Sequence, residues 1–436
     1  MAASPTKVLT PGGRSILPLA LLLGFHVIIC GVSLTYVAYL YQSPFIVAFG
    51  MARIGPAILI AAPFSLTAVL FAISRFSFGY FVGFCLYTVI FGYLWLVEFS
   101  VFPYEHRWSA VSSAFSGLFF LVPALMDVSP FRRSFTLSPR AFDHLLTAIL
   151  FVGAAVVAAG ALFNFRLVWL DEMYTFREGI HYPAPLGYAI GATSMVLLPF
   201  AFSGLLMQGA RWRATAALAV LLMFYPVTLT KLTLFAPIWL LLLTMLSRLA
   251  EIRKAVVLSL CAPLAIGVLL ALLYSNYLLP YEVGIPFFGA VNFRMIAVPS
   301  LAIDIYNDFF ATHPITYFCQ ISVLKAIVAC PYGEPLALLM AKTYELGNLN
   351  ASLFATEGIA SVGSAFAPLA ALACGFVIAL ANRTSAGLPA RFILLSSGML
   401  VQVLINIPLT IALLTYGGAL LFLLWYVTPR TIFGEK

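Results

Sequence analysis

The feature that most constrains this chain is a recurring uncharged apolar run about twenty residues long. VVLSLCAPLAIGVLLALLYS, residues 256–275, is one of many. Roughly 20 apolar residues wound as a helix cross about 30 Å of hydrocarbon. Runs of this length do not alternate with period two, which excludes a transmembrane β-barrel. Hydrophobic residues make up 63% of the chain and charged residues 9%. A soluble domain carries far more charge, so the fold class is an all-α polytopic membrane protein.

The apolar pattern predicts twelve spans, near 16–40, 55–74, 78–102, 109–128, 142–163, 185–208, 214–230, 232–247, 255–275, 358–381, 391–407 and 409–427. The last two lie back to back around Asn406, Pro408, Gly417 and Gly418. The chain then divides into an N-terminal membrane bundle (1–275), a long connection (276–357) and C-terminal membrane helices (358–436), within one integral membrane domain. The first span is too long for a signal-peptide core and has no clear cleavage site, so it reads as retained. Lys and Arg favour the cytoplasmic side of short loops. With the N-terminus inside, fifteen of these residues fall inside and eight outside. Both termini are therefore expected in the cytoplasm and the 276–357 connection outside. The net charge of +8 is spread over short loops and does not indicate nucleic acid. Cys30, Cys85, Cys261 and Cys374 lie in apolar runs as packing residues, whereas Cys319 and Cys330 share the long connection, where a disulfide is feasible.

Polar groups concentrate in that connection, with Arg294, Asp304, Asp308, His313, Lys325, Glu334, Lys342, Glu345 and Glu357. Asn292 to Phe310 reads as helical with a bend at Pro299. Ile315 to Ala329 reads as re-entrant or interfacial, and Pro335 to Leu346 as an amphipathic helix stopped by Gly347. A second outer loop, 164–184, holds Arg166, Asp171, Glu172, Arg177, Glu178 and His181. Its plainer reading is a solvated loop of self-compensating charges.

Phosphate-cradling GxxxxGK[ST], GxSxG and HExxH motifs are absent, which argues against an ATP-driven pump or a membrane metalloprotease. What remains is cations and carboxylates at one face. Arg294, in NFRMIAVP, needs an anion: Asp304, Asp308, a carbonyl or a phosphate matched by the guanidinium fork. Lys231 is either a snorkelling lysine or a phosphate contact. Glu98 reads as a buried hydrogen-bonded group. Glu357, where the chain re-enters the membrane, is either a helix-start carboxylate or a partly desolvated general base.

The order of features from Arg294 to Gly363 resembles the bacterial oligosaccharide repeat-unit polymerases, the Wzy-type O-antigen polymerases. The resemblance rests on NFRMIAVP, then DIYNDFFATHPITYF, then NLNASLFATEGIASVGSAF with Asn348, Asn350, Glu357, Gly358 and Gly363. YTFREGIHYPAPLGY, with Arg177 before the sixth span, is similar to a further family segment. Lys231 stands where related enzymes carry an arginine; the charge is kept and the bidentate fork lost. The motif-bearing part covers roughly 70 residues, and the remainder agrees in architecture only. The resemblance implies transfer of a glycan from one undecaprenyl pyrophosphate carrier to a repeat unit on another, at the outer face of the bacterial inner membrane. In that scheme Arg294, Arg177 and Lys231 stabilise the departing pyrophosphate. Glu357 is the base, with His313 second, and Asn348 and Asn350 bind sugar hydroxyls. The activated donor supplies the free energy, so neither nucleotide nor metal nor other cofactor is implied. A polysaccharide chain-length regulator is the implied protein partner.

Three other readings share the architecture. A repeat-unit flippase or other transporter would line a midplane pathway with charge. A membrane glycosyltransferase using polyprenyl-phosphate sugars would place acids in the first outer loop, where residues 41–53 have none. An O-antigen ligase has the same general plan and a lipid-core acceptor.

Overall fold

Within hydrocarbon, backbone N–H and C=O groups find partners only inside the chain, so the apolar runs become helices. The computed structural model describes residues 16–42, 47–126, 129–169, 172–177, 179–321, 324–347 and 349–433. In chain order the long helices are α1 (Ile16–Leu40), α2 (Met51–Ile73), α3 (Phe78–Phe99), α4 (His106–Leu125), α5 (Pro139–Ala161), α6 (Ala184–Met207), α7 (Arg211–Thr228), α8 (Lys231–Leu249), α9 (Ile252–Ser275) and α10 (Tyr281–Thr312). A cap over residues 313–353 contains the short helix α11 (Leu336–Thr343). The C-terminal part holds α12 (Phe354–Ser385), α13 (Ala390–Asn406), α14 (Leu409–Leu414) and α15 (Gly418–Val427). Among the described residues, ten helices are long and apolar enough to cross a membrane: α1–α6, α8–α10 and α12. The chain is a polytopic α-helical membrane protein.

α3 is the centre of the bundle. It is apolar all round and buried along almost its whole length, as expected of a core helix. Ser77 starts it, its side chain accepting the Tyr80 N–H at 3.1 Å. The closest helix pair is α4 against α12. Ser109, Ser113 and Gly117 on α4 and Ala367, Ala371 and Gly375 on α12 repeat at four-residue spacing, so small side chains let the backbones approach. A Cβ on Gly375 would lie 2.6 Å from the Phe120 carbonyl. Asn382 then ties three helices, accepting from the Gly79 N–H at 2.7 Å and donating to the Ala124 carbonyl at 2.8 Å.

α10 falls within the 276–357 connection expected outside the membrane, yet it is long and apolar enough to cross one. Its start packs on Tyr274 at the end of α9. Midway, the Asn292 amide donates to the Leu264 carbonyl, halfway along α9, and to Ser33 of α1. Ser300 donates to the Val89 carbonyl, halfway along α3. Asp304 then meets Tyr104, beyond the end of α3. The Ala48 N–H donates to Phe99 O at the end of α3, and Tyr41, directly after α1, stacks on Phe293 of α10. Both ends of α10 therefore lie at one face, here termed the cap face. The helix bends through a π-helical stretch, Gly289–Ala297, and Pro299, two recognised causes of kinks.

α12 is not a straight rod either. Gly363 has φ 75° and ψ 163°, a conformation open essentially to glycine alone. A Cβ on Gly358 would lie 3.3 Å from the Ala367 Cβ. Nine residues apart on a straight helix they would be about 13 Å apart. Residues 354–362 thus fold back antiparallel on 364–385 as a helical hairpin with its apex at Gly363. The backbone N–H groups of Thr316 and Tyr317 donate to the carbonyls of Ala360 and Ser361 at 2.7 and 3.1 Å, satisfying the end of the first limb. The expected span at 409–427 is two short helices, broken at Gly417 with φ 80°. In the expected re-entrant piece Ile315 to Ala329, the described residues 315–321 and 324–329 form turns in the cap, with one short 3₁₀ turn at Leu324–Ala326.

Replacing Gly363 by Ala forces a Cβ into this backbone region, at a cost of about 1–3 kcal/mol. A lower thermal midpoint is expected for the purified Gly363→Ala protein in detergent. An unchanged midpoint would show that the apex does not need the glycine conformation.

Candidate functional site

The hairpin limb determines where Glu357 sits. Ser112, six residues into α4, donates to the Ser364 carbonyl, so the two helices are level there. Ala367 lies a turn deeper and Gly358 opposes it. Glu357 is therefore roughly 15 Å below the cap-face end of α4. Its carboxylate is buried. Oε1 accepts the Thr410 N–H and the Thr410 hydroxyl, both at 3.0 Å, and Oε2 accepts the Thr356 hydroxyl at 2.6 Å. The Glu357 backbone N–H also acts on the carboxylate, which is thus held by several donors at once. Thr410 belongs to the first turn of α14, whose N-cap Pro408 has no side-chain acceptor; the carboxylate stands in for one.

The other expected site residues do not gather around Glu357. Arg294 projects from the π-helical stretch of α10, exposed, with no hydrogen-bond or ion-pair partner among the described residues. Tyr306, which feels the Glu357 charge, lies twelve residues further on, about 18 Å along the helix. His313 is exposed and ends α10. Its Nδ1 donates to the Phe309 carbonyl at 2.9 Å while its ring stacks on Phe309 at 4.0 Å, a helix-capping arrangement. Arg177 closes the short helix Met173–Arg177, exposed, and acts electrostatically on Tyr416 at the α14–α15 break. Lys231 opens α8 directly after its cap residue Thr230, half-buried. Asn350 is exposed, and Asn348 lies outside the described residues. Glu98 is half-buried; its backbone carbonyl, at 3.2 Å, receives Arg53.

Sequence reasoning missed a polar network one turn along α10. Asp304, fully buried, accepts the Tyr104 hydroxyl on Oδ1, and its Oδ2 has no partner. Tyr93 shares a hydrogen bond with Tyr104 at 3.1 Å and accepts from Asn307 at 3.3 Å. Asn307 in turn accepts from Ser364, beside the hairpin apex, at 3.4 Å. Asp308 accepts the Tyr344 hydroxyl at 2.6 Å, docking the cap on α10. Burial, and then the Asp308 carboxylate, push the Tyr344 phenol well above its ordinary range, so it stays a donor. Residues 304, 307 and 308 share one helix face, and that spacing was the available signal.

The cap is held by the Cys319–Cys330 disulfide, by Gln320 donating to Ser361 at 2.8 Å, and by Tyr332 donating to the Pro314 carbonyl at 2.6 Å. Tyr317 and Phe318 both adopt left-handed φ values, 49° and 63°, which are costly for bulky residues. They border a cavity of about 560 Å³ beside the apex, lined also by Ile315, Val362, Phe366 and Leu369. Its wall is apolar, suited to a hydrocarbon chain. No cluster of three or more His, Cys, Asp or Glu is placed to hold a metal among the described residues. No family model matches the chain, and neither does any curated protein or solved structure.

Two outcomes are expected here. Closing an 11-residue separation with a disulfide stabilises by roughly 3 kcal/mol, so Cys319→Ser should lower the unfolding midpoint. Thiol alkylation should label this pair only after reduction; labelling without reductant would remove the bond. Glu357→Ala leaves the Thr410 N–H unpaired and should cost about 1–3 kcal/mol. Glu357→Gln keeps an acceptor and should cost less, as denaturation of both variants would reveal.

Proposed function

We propose that the chain is a lipid-linked oligosaccharide polymerase of the Wzy type, acting at the cap face. In this reading the membrane is the bacterial inner membrane and the cap face is periplasmic. The chain crosses twelve times, with α10 and the first limb of α12 re-entrant and both termini in the cytoplasm. The observation that carries the reading is the re-entrant limb. It holds one carboxylate, Glu357, at fixed geometry below a disulfide-pinned cap and close to an apolar cavity. A glycan transferase using two lipid carriers needs a base, cations for the pyrophosphate, and a slot for a polyprenyl chain. A disulfide in the cap also fits an oxidising compartment.

The acceptor sugar hydroxyl loses its proton to Glu357 as its oxygen attacks the anomeric carbon of the donor glycan. The bond from that carbon to the pyrophosphate oxygen breaks, and undecaprenyl pyrophosphate leaves with the negative charge. Arg294, exposed and unpaired among the described residues in the deep part of α10, is the first cation for that charge, with Arg177 and Lys231 nearer the cap face. Asn350 is open to a sugar hydroxyl. The attacked anomeric carbon is bonded directly to the pyrophosphate, so this scheme requires substrate binding to bring Arg294 and Glu357 to opposite sides of one bond. A chain-length regulator would dock at this face.

A second reading is transport of the same lipid-linked units. It is favoured by one observation, the two buried carboxylates Asp304 and Glu357 beside broken helices. Deletion of the gene followed by analysis of surface glycan and lipid-linked intermediates separates the readings. Single units accumulating on the carrier at the outer face, with long chains lost, are expected for a polymerase. Units trapped at the inner face would mean a flippase, and long chains stranded on the carrier a ligase. Glu357→Gln should insert normally and lose on the order of 10²-fold or more in polymer formation. Near-normal chain length from that variant would remove Glu357 as base. Arg294→Lys keeps charge but not the fork, and should fall short of wild type in the same assay.

A further inference from the structure

We infer that Arg248 and Arg391, at the face opposite the cap, bind the phosphate of an anionic phospholipid. Arg391 lies in the first turn of α13 and Arg248 in the last turn of α8. The Arg391 Nε and Nη2 atoms are buried and have no hydrogen-bond partner. Among the described residues the charged group acting on Arg391 is a second cation, Arg248. The described acids at this face are already engaged, Asp143 by Arg213 at 2.8 Å and Glu251 by Arg253. Arg430, at the same face, has a different environment. Both of its Nη atoms donate to backbone carbonyls, of Trp425, Thr428, Thr384 and Ala386, leaving only Nε without a partner among the described residues, so it acts chiefly as a structural clamp.

A buried guanidinium edge facing another arginine needs an anion. The backbone adds to this, since the N-terminal turn of α13 has no side-chain cap and its dipole favours negative charge. The surroundings select a lipid over a soluble phosphate. Leu241, Met245 and Leu249 form an exposed apolar stripe on α8 that leads to Arg248. Acyl chains lying on that stripe bring a headgroup phosphate to both arginines. This site is independent of the polymerase reading and lies at the other face.

The test uses the purified full-length chain in detergent, with native mass spectrometry and added phosphatidylglycerol or phosphatidylcholine. Wild type should retain phosphatidylglycerol preferentially. An Arg248→Gln, Arg391→Gln double variant should lose that retention roughly tenfold or more, since it removes both charge-assisted contacts to the phosphate. Equal retention of the neutral lipid by wild type, or undiminished phosphatidylglycerol binding by the variant, would overturn the site. Binding of inorganic phosphate that depends on Arg391, without headgroup preference, would overturn the lipid assignment and leave a soluble phosphate as ligand. If the double variant does not fold, wild-type headgroup selectivity and its competition by inorganic phosphate decide the question. Arg391→Lys, which lacks the fork, should weaken retention while keeping the charge.

Discussion

The structure depends on satisfying backbone groups wherever a helix breaks inside apolar surroundings. A freed N–H or C=O there costs several kcal/mol if left alone. Glu357 supplies one such solution, receiving the N–H and hydroxyl of Thr410 where α13 gives way to α14. The cap supplies another, through Thr316 and Tyr317 on the open carbonyls of the hairpin limb. These two attachments hold the limb from opposite sides. The carboxylate proposed as a base is thus also a structural support, and its geometry is fixed before any substrate arrives.

The acidic groups of α10 show the same economy. Asp304 and Asp308, one turn apart, each receive a tyrosine hydroxyl from a different connection, Tyr104 from the α3–α4 loop and Tyr344 from the cap. Neutral donors stabilise the carboxylates without consuming a cation. Arg294, ten residues before Asp304 on the same helix, is therefore not drawn into an internal ion pair. A chain that had paired Arg294 with Asp304 would have spent its cation on stability.

Much of the architecture was legible in the sequence because apolar length and helical geometry leave few options. The helix after Pro335 was visible in the spacing of Leu336, Leu339, Met340 and Tyr344, of which Leu336 and Met340 are buried. α10 was not legible in full: Arg294, Asp304 and Asp308 raise its polarity, so Asn292 to Phe310 read as a helix in an outer connection and its first turns went unseen. Their partners, Tyr104 and Tyr344, lie 200 and 36 residues away in sequence, a distance no local pattern spans. Glu357 was marked by its position before an apolar run, whereas Thr410 carries no signal of its own. Gly363 was noted as a motif residue, but only its positive φ reveals that the helix turns back there.

The return of α10 to its own side has a consequence for topology mapping. A hydropathy count that scores this helix as a crossing inverts the sidedness of everything after it. Ala386 would then lie across the bilayer from Arg133. Yet the Arg133 guanidinium donates to the Ala386 carbonyl at 2.8 Å, and Arg430 joins it there. Parity is set by these short contacts. Reporter fusions placed on the two flanks of α10 would give the same signal on both, although a 32-residue, predominantly apolar helix stands between them.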